Sequence, residues 1–210
     1  MAEQVLPGLV SVEHELLLFA AFWFIVSAVD EAAFDLGYLW LRLTGRLREQ
    51  VIARDSETLE LERMTAVFVA AWQEADVIGA MIAHTLKVWP QRRMALYVGC
   101  YANDPETLAA AMKGAKGDAR VRIVVNERPG PTTKADCLNR LYAALCRDEE
   151  RSGNRFRSLV LHDAEDFVHP AALALIDRHL RDAAFVQLPV RPEPQAGSRC
   201  IAGHYSDEFA

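Results

Sequence analysis

The chain is short of the signatures that announce the commonest nucleotide and hydrolase chemistries. No GxGxxG follows an apolar run and no GxxxxGK[ST] occurs, so Rossmann dinucleotide binding and P-loop chemistry lose support. A GxSxG elbow is absent too, which removes the nucleophile of the α/β-hydrolases. The four cysteines (Cys100, Cys137, Cys146 and Cys200) include no CxxC pair and have no histidine at metal spacing. They read as reduced, partly buried thiols of a cytosolic compartment. Net charge is −6, and no Lys/Arg-rich block stands out apart from the mixed run between Arg42 and Arg54. Nucleic acid is therefore excluded as the expected partner, since its binders carry a basic stripe. The first nineteen residues hold no Lys or Arg, so a cleaved signal peptide fits poorly. There is no internal repeat and no low-complexity segment.

What is there begins with 210 residues, enough for one domain with a real core plus an extra segment. The extra segment is apolar. Residues 16–29 form a run of fourteen with only Ser27 polar, and residues 32–41 continue it beyond Asp30 and Glu31. A spanning helix needs about 20 largely apolar residues, which residues 9–29 supply, with Glu13, His14 and Glu15 near the entry. Phe19, Phe22, Trp23, Phe24, Tyr38 and Trp40 resemble an interfacial and lipid-facing set. Arg42, Arg46 and Arg48 follow, and the positive-inside rule places that side in the cytoplasm. The expected organisation is a hydrophobic, membrane-associated helical region over 1–43, a basic and polar linker over 44–64, and a folded domain over 65–210. The alternative for the first region is an amphipathic or buried helix docked on the domain, which Asp30, Glu31 and Asp35 favour. If the helix spans, those three acids should face protein or water.

Beyond the linker, short β-forming runs alternate with helical periodicity. Residues 65–72, 94–100, 121–125, 156–161 and 184–190 read as five strands. Helices are expected over 77–86, 106–116, 134–147 and 170–182, with Gly117 closing the second. This β-α-β-α-β-α-β-α-β order predicts an α/β fold: a mostly parallel sheet with helices on both faces.

Ligands of such sheets bind outside the carboxyl ends of the strands. The loops expected there are 71–74, offering Glu74; 100–104, offering Asn103 and Asp104; 126–134, offering Lys134 and backbone amides; and 162–166. The last carries the strongest signal, because Asp163, Glu165 and Asp166 place three carboxylates within four residues directly after an apolar strand. Their repulsion calls for an external cation, and a hard divalent metal carrying a phosphate group is the best candidate. Glu74 and Asp104 could hold a base and ribose, and the metal with Lys134 a diphosphate. Each residue also has a plainer reading. Asp104 before Pro105 is a common helix cap, Glu74 a first-turn acid, Lys134 a solvated helix residue, and the acidic cluster itself a capping arrangement. A zinc site built on His162 and His169 with Asp163 or Asp166 lacks a third nitrogen or sulfur ligand at useful spacing.

Several stretches together resemble one known family. Residues 71–78 (AWQEADVI) resemble the first nucleotide-binding loop of family 2 glycosyltransferases. Residues 101–107 (YANDPET) resemble their second, in the form of bacterial inner-membrane members of the phage adsorption protein B type. Residues 134–139 (KADCLN) are similar to the family's "KA–LN" helix start. Residues 163–166 (DAED), with His169-Pro170 after them, look like a variant of its DxD metal motif. Residues 203–210 resemble a further segment.

The resemblance implies a GT-A fold and transfer of a sugar from a nucleotide-diphospho-sugar, usually with inversion, using Mg²⁺ or Mn²⁺. It implies that Glu74 and Asp104 contact the uridine part. Asp163 and Glu165 would take the DxD positions near diphosphate and metal, a Glu replacing the usual second Asp; the strand-end loops themselves add Asp166 to the metal and Lys134 to the donor. It implies the bacterial inner membrane as location, the catalytic domain in the cytoplasm, and a saccharide or envelope glycan as acceptor. Family members continue into an acidic segment with the catalytic base, a QxxRW-like segment and further membrane helices. None of these precedes Ala210, so the base is expected beyond it. Asp207 and Glu208 match an upstream segment instead. The chain reads as a C-terminally truncated, donor-binding half, for which a partner chain is one source of the remainder. Two other readings stay open: a catalytically incomplete, membrane-anchored interaction or receptor module, and a metal-dependent phosphohydrolase, which fits the acid cluster but not the other loops.

Overall fold

The structure, a computed structural model, describes residues 2–46 and 59–190. The chain divides into two compact units, Met1–Val51 and Ile52–Ala210. Most of the expected linker, and residues 203–210 with Asp207 and Glu208, lie outside the described residues.

The first unit is one helix, α1 (Ala2–Leu43). Its 42 residues correspond to a rod of about 60 Å. Val10–Leu43 is long and apolar enough to cross a membrane by length and composition. Trp23 meets Phe19 and Phe22 edge-on, with ring centroids 6.2 and 5.5 Å apart. At the carboxyl end the Arg46 guanidinium lies 4.7 Å from the centre of the Trp40 ring, a cation–π contact that keeps the charge beside the last turn.

The second unit is the α/β domain. Its described elements run β1 (Met64–Ala70), α2 (Ile78–Val88), β2 (Met94–Tyr101), α3 (Pro105–Ala115), β3 (Val121–Asn126), α4 (Lys134–Ser152), β4 (Phe156–His162) and α5 (Ala172–His179). The strands form one sheet in the order β3-β2-β1-β4, every pair parallel. The central strands are apolar on both faces because both faces are covered. Val67 and Val69 of β1, with Leu96, Val98 and Cys100 of β2, pack against Ile78, Met81 and Ile82 of α2, Ala111 of α3 and Leu173 of α5. The intervening Ala66, Phe68 and Tyr97 pack against Leu141 and Leu145 of α4. Burying Phe68 alone contributes about 3 kcal/mol. Tyr97 links this second layer, edge-on to Phe68 at 5.5 Å and to Phe156 at 5.9 Å.

Local chemistry sets the ends of the helices. Asp104 caps α3, with Pro105 behind it, and Lys116 ends the helix in the left-handed conformation. Thr133 caps α4 by accepting from the Asp136 amide, and Gly153 closes it at φ 71°. Helices α2 and α3 touch backbone to backbone: a Cβ on Gly114 would sit 2.4 Å from the Gly79 carbonyl oxygen.

Sequence and structure part at the last expected strand. Residues 184–190 are described but irregular, and they join no sheet. Phe185 and Val190 are 78% and 54% exposed, while Leu188 alone rests against the core. A β-forming composition needs a neighbouring strand to bond to, and this segment pairs with none of the described strands. Helix α5 is also shorter than the expected 170–182.

Candidate functional site

The carboxyl ends of the four strands bring the nominated residues to one edge of the sheet. The first loop leaves β1 through Gln73, which takes a positive φ of 57° and turns the chain into α2. Asp104, only 8% exposed, holds that turn: its Oδ2 accepts from the Gln73 amide at 2.6 Å. Its Oδ1 accepts from Thr107 N–H at 3.3 Å. Burial pushes this carboxyl up, but the bonds from Gln73 and Thr107 outweigh it and leave Asp104 below the usual carboxylate range. Asp104 therefore has the structural role of tying the first loop to the second. The Glu74 amide repeats the tie by donating to Thr107 Oγ1 at 2.9 Å.

Loop three is fastened to the same pair. The Asn103 side chain donates to the Gly130 carbonyl at 2.8 Å and accepts from the Gly130 amide at 2.7 Å. Tyr101 and Thr132 share a hydroxyl–hydroxyl bond of 2.7 Å. Trp72, at the end of the first loop, meets Tyr101 edge-on at 5.1 Å. Gly130 lies so close to the Trp72 ring that a Cβ there would sit 2.3 Å from it.

Loop four carries the acids. Lys134, first residue of α4, reaches Asp163 and forms an ion pair with its Oδ1. Both side chains are about half exposed. Glu165 is exposed, and its charge reaches Glu74: burial first, then Glu165, pushes the Glu74 carboxyl above the ordinary glutamate range. Glu74 and Glu165 are thus brought within electrostatic reach, ninety-one positions apart in sequence. His162, on the strand end, pairs its Nε2 with the Asp166 carbonyl at 3.2 Å. Burial pushes this imidazole down, against the pull of Asp166, Asp163 and Glu165.

The loop is also anchored from behind by groups the sequence did not nominate. His84 on α2 bonds the Val168 carbonyl at 3.1 Å and meets Phe167 edge-on. The Trp89 indole donates to the His169 carbonyl at 3.0 Å. No local signal marks these residues, because their partners lie 80 and more positions away.

The donor set suits a hard cation. Carboxylate oxygens are the preferred ligands of Mg²⁺ and Mn²⁺, and Mg²⁺ is commonly held by one or two carboxylates plus substrate phosphates. Among the described residues no group of three or more His, Cys, Asp or Glu gathers as a complete protein cage. Asp163 and Glu165 carry ligand atoms of the kind such a sparser arrangement uses. The described cysteines are free, Cys100 and Cys137 buried and Cys146 half-buried, and Cys200 lies outside the described residues. Burial, with Cys137 and Asp104 nearby, pushes the Cys100 thiol up to about 12, which leaves it unreactive.

A parallel sheet with helices on both faces, bearing polar loops along its carboxyl edge, is an α/β frame whose strand ends are where ligands bind, and residues 62–210 match the family described as "Glycosyltransferase like family 2". The chain belongs to that family, whose GT-A-like fold its sheet and helices display. It is 34% identical over 149 residues to "Bacteriophage adsorption protein B" of Escherichia coli strain K12. The same identity over 149 residues relates it to "Bacteriophage N4 adsorption protein B" of Escherichia coli O157:H7. In each case 71% of this chain is covered, and the chain spans about a fifth of the length of these curated relatives. A solved structure described as "Crystal Structure of a Mycobacterial Protein" is also similar, with TM-score 0.46 and 20% identity, covering 65% of this chain and 43% of that one.

Proposed function

We propose that this chain binds a nucleotide-diphospho-sugar at the carboxyl edge of its sheet and serves glycosyl transfer to a saccharide or envelope glycan. The observation that carries this reading is the meeting of Lys134 with Asp163, beside Glu165 and Glu74, within a family 2 glycosyltransferase domain. The family generally uses divalent metal ions. Here Asp163 and Glu165 would hold Mg²⁺ or Mn²⁺, with Asp166 next to them. When bound, the ion supplies Lewis-acid stabilisation of the leaving diphosphate.

The chain's own residues do the rest. Lys134 exchanges its exposed pairing with Asp163 for the donor's phosphate oxygens, a point charge suited to that task. Glu74 and Asp104 would serve the base and ribose, Asp104 chiefly by shaping the loop around Gln73. No residue is assigned as the base that activates the acceptor. Helix α1 would hold the domain at a bacterial inner membrane, with Arg42 and Arg46 on the cytoplasmic side.

The test is thermal unfolding of the full chain with UDP-, GDP- and dTDP-sugars in Mn²⁺. A matching donor at a hundredfold excess over its Kd stabilises by about 2.7 kcal/mol, and Asp163→Ala removes the shift. Absence of any shift with all three classes counts against donor binding. If the donor binds but the purified chain neither transfers nor hydrolyses it, the reading becomes that of a catalytically incomplete interaction module.

A further inference from the structure

We propose that Asn103 is a positioning residue of the donor site, a clamp whose side-chain amide locks loop 127–133 against the first two loops and so fixes where Lys134 stands; this rests on the donor-site reading above. Asn103 is exposed, and yet makes two reciprocal bonds to a single residue, Gly130. Only its oxygen can accept the Gly130 amide and only its nitrogen can donate to the Gly130 carbonyl, so the side chain imitates one rung of a β-ladder. An ionised Asp at this position accepts but cannot donate, so it cannot do both.

The clamp presses Gly130 onto Trp72, where no side chain fits between backbone and ring. Loop three is thereby held by loop two and seated on loop one. Three residues beyond Gly130, Thr133 caps α4, and the next residue is Lys134, already paired with Asp163 of loop four. Trp72 and Asn103 thus meet at Gly130, and the chain from Gly130 through Thr133 to Lys134 and Asp163 connects all four strand-end loops. A lysine on a long flexible stem gains directional value only if its backbone is fixed, and the clamp fixes it close to the helix start.

The test uses the full 210-residue chain and two measurements. Hydrogen exchange without ligand reads the loop itself: Asn103→Ala should speed exchange of the 127–133 amides about tenfold while those of β1 and β2 keep their protection. Titration with UDP, GDP and dTDP, each in Mn²⁺, reads the site: the nucleotide that wild type binds should bind about tenfold more weakly to Asn103→Ala. Asn103→Asp, which keeps the acceptor but opposes the Gly130 carbonyl with a carboxylate, should lose as much. Gly130→Ala, which drives a methyl group into Trp72, should reproduce both effects by an independent route. In the Lys134→Ala background, Asn103→Ala should add less than about twofold, because its effect passes through that lysine. Unchanged exchange in Asn103→Ala overturns the clamp. Faster exchange with binding within twofold of wild type overturns its role in positioning. Binding of none of the three nucleotides by wild type overturns the donor-site reading, while the exchange result still decides the clamp.

Discussion

The first three strand ends and the fourth share one edge of one sheet, yet they hold their polar groups in opposite ways. At β1, β2 and β3 the side chains are bonded from loop to loop: Asp104 to Gln73 and Thr107, Asn103 to Gly130, Tyr101 to Thr132. At β4 the loop is held from behind through the carbonyls of Val168 and His169, while Asp163 makes a half-exposed ion pair with Lys134 and Glu165 is exposed. The contrast separates scaffold from working groups. A buried carboxylate with both oxygens bonded cannot change partner cheaply, whereas a half-exposed ion pair can.

The contrast is most open to attack at Asp104. Asp104→Ala strips a helix cap and leaves the Gln73 amide without its acceptor, with an expected cost of about 2–3 kcal/mol in urea unfolding. A cost near zero would mean that the first three loops are not interlocked. Trp89→Phe keeps the buried ring but removes the donor to His169, and should cost about 1–2 kcal/mol while loosening the acidic loop in hydrogen exchange. Lys134→Met should cost under about 1 kcal/mol, since both partners of its ion pair are half exposed, but it should weaken nucleotide binding. A loss of stability as large as that of Asp104→Ala would erase the distinction between the two sides.

The smallest effect should come from Glu74. Its folded pKa lies above the unfolded one, so ionisation opposes folding: the penalty is complete above the folded pKa and disappears as pH falls below the unfolded value. Glu74→Gln should therefore raise Tm slightly, roughly 1–2 °C at pH 8, with no gain at pH 3. A gain that persists at pH 3 would assign the effect to something other than the ionisation of Glu74, which burial first and Glu165 second oppose.

The same division explains what the sequence could disclose. The four paired strands were legible because β1 and β2 are continuous apolar runs, as burial on both faces requires. Asp163 and Lys134 were legible because strand ends and a helix start are recognisable locally, and the sheet needed only to gather them. Asp104 was read both as a cap and as a ligand, and its capping bond to Thr107 is what the backbone around Pro105 dictates. The grips of His84 and Trp89 were not legible, since each joins α2 or the residue just after it to a carbonyl, and a carbonyl carries no residue identity. The strand expected over 184–190 failed for the complementary reason. Composition describes what a segment can do, but pairing depends on what lies beside it.

The contact between Gly79 and Gly114 has a mechanical consequence for this edge. With the Gly114 Cα hydrogens almost against the Gly79 carbonyl, α2 and α3 have no side-chain cushion across which to slide. The turns that start these helices, at residues 74–77 and 104, are carried on one stiff jaw. With the segment leading into α4 fastened to the same jaw through Asn103 and Tyr101, any closing motion around a ligand must then come from the segment out of β4, where the exposed acids ride.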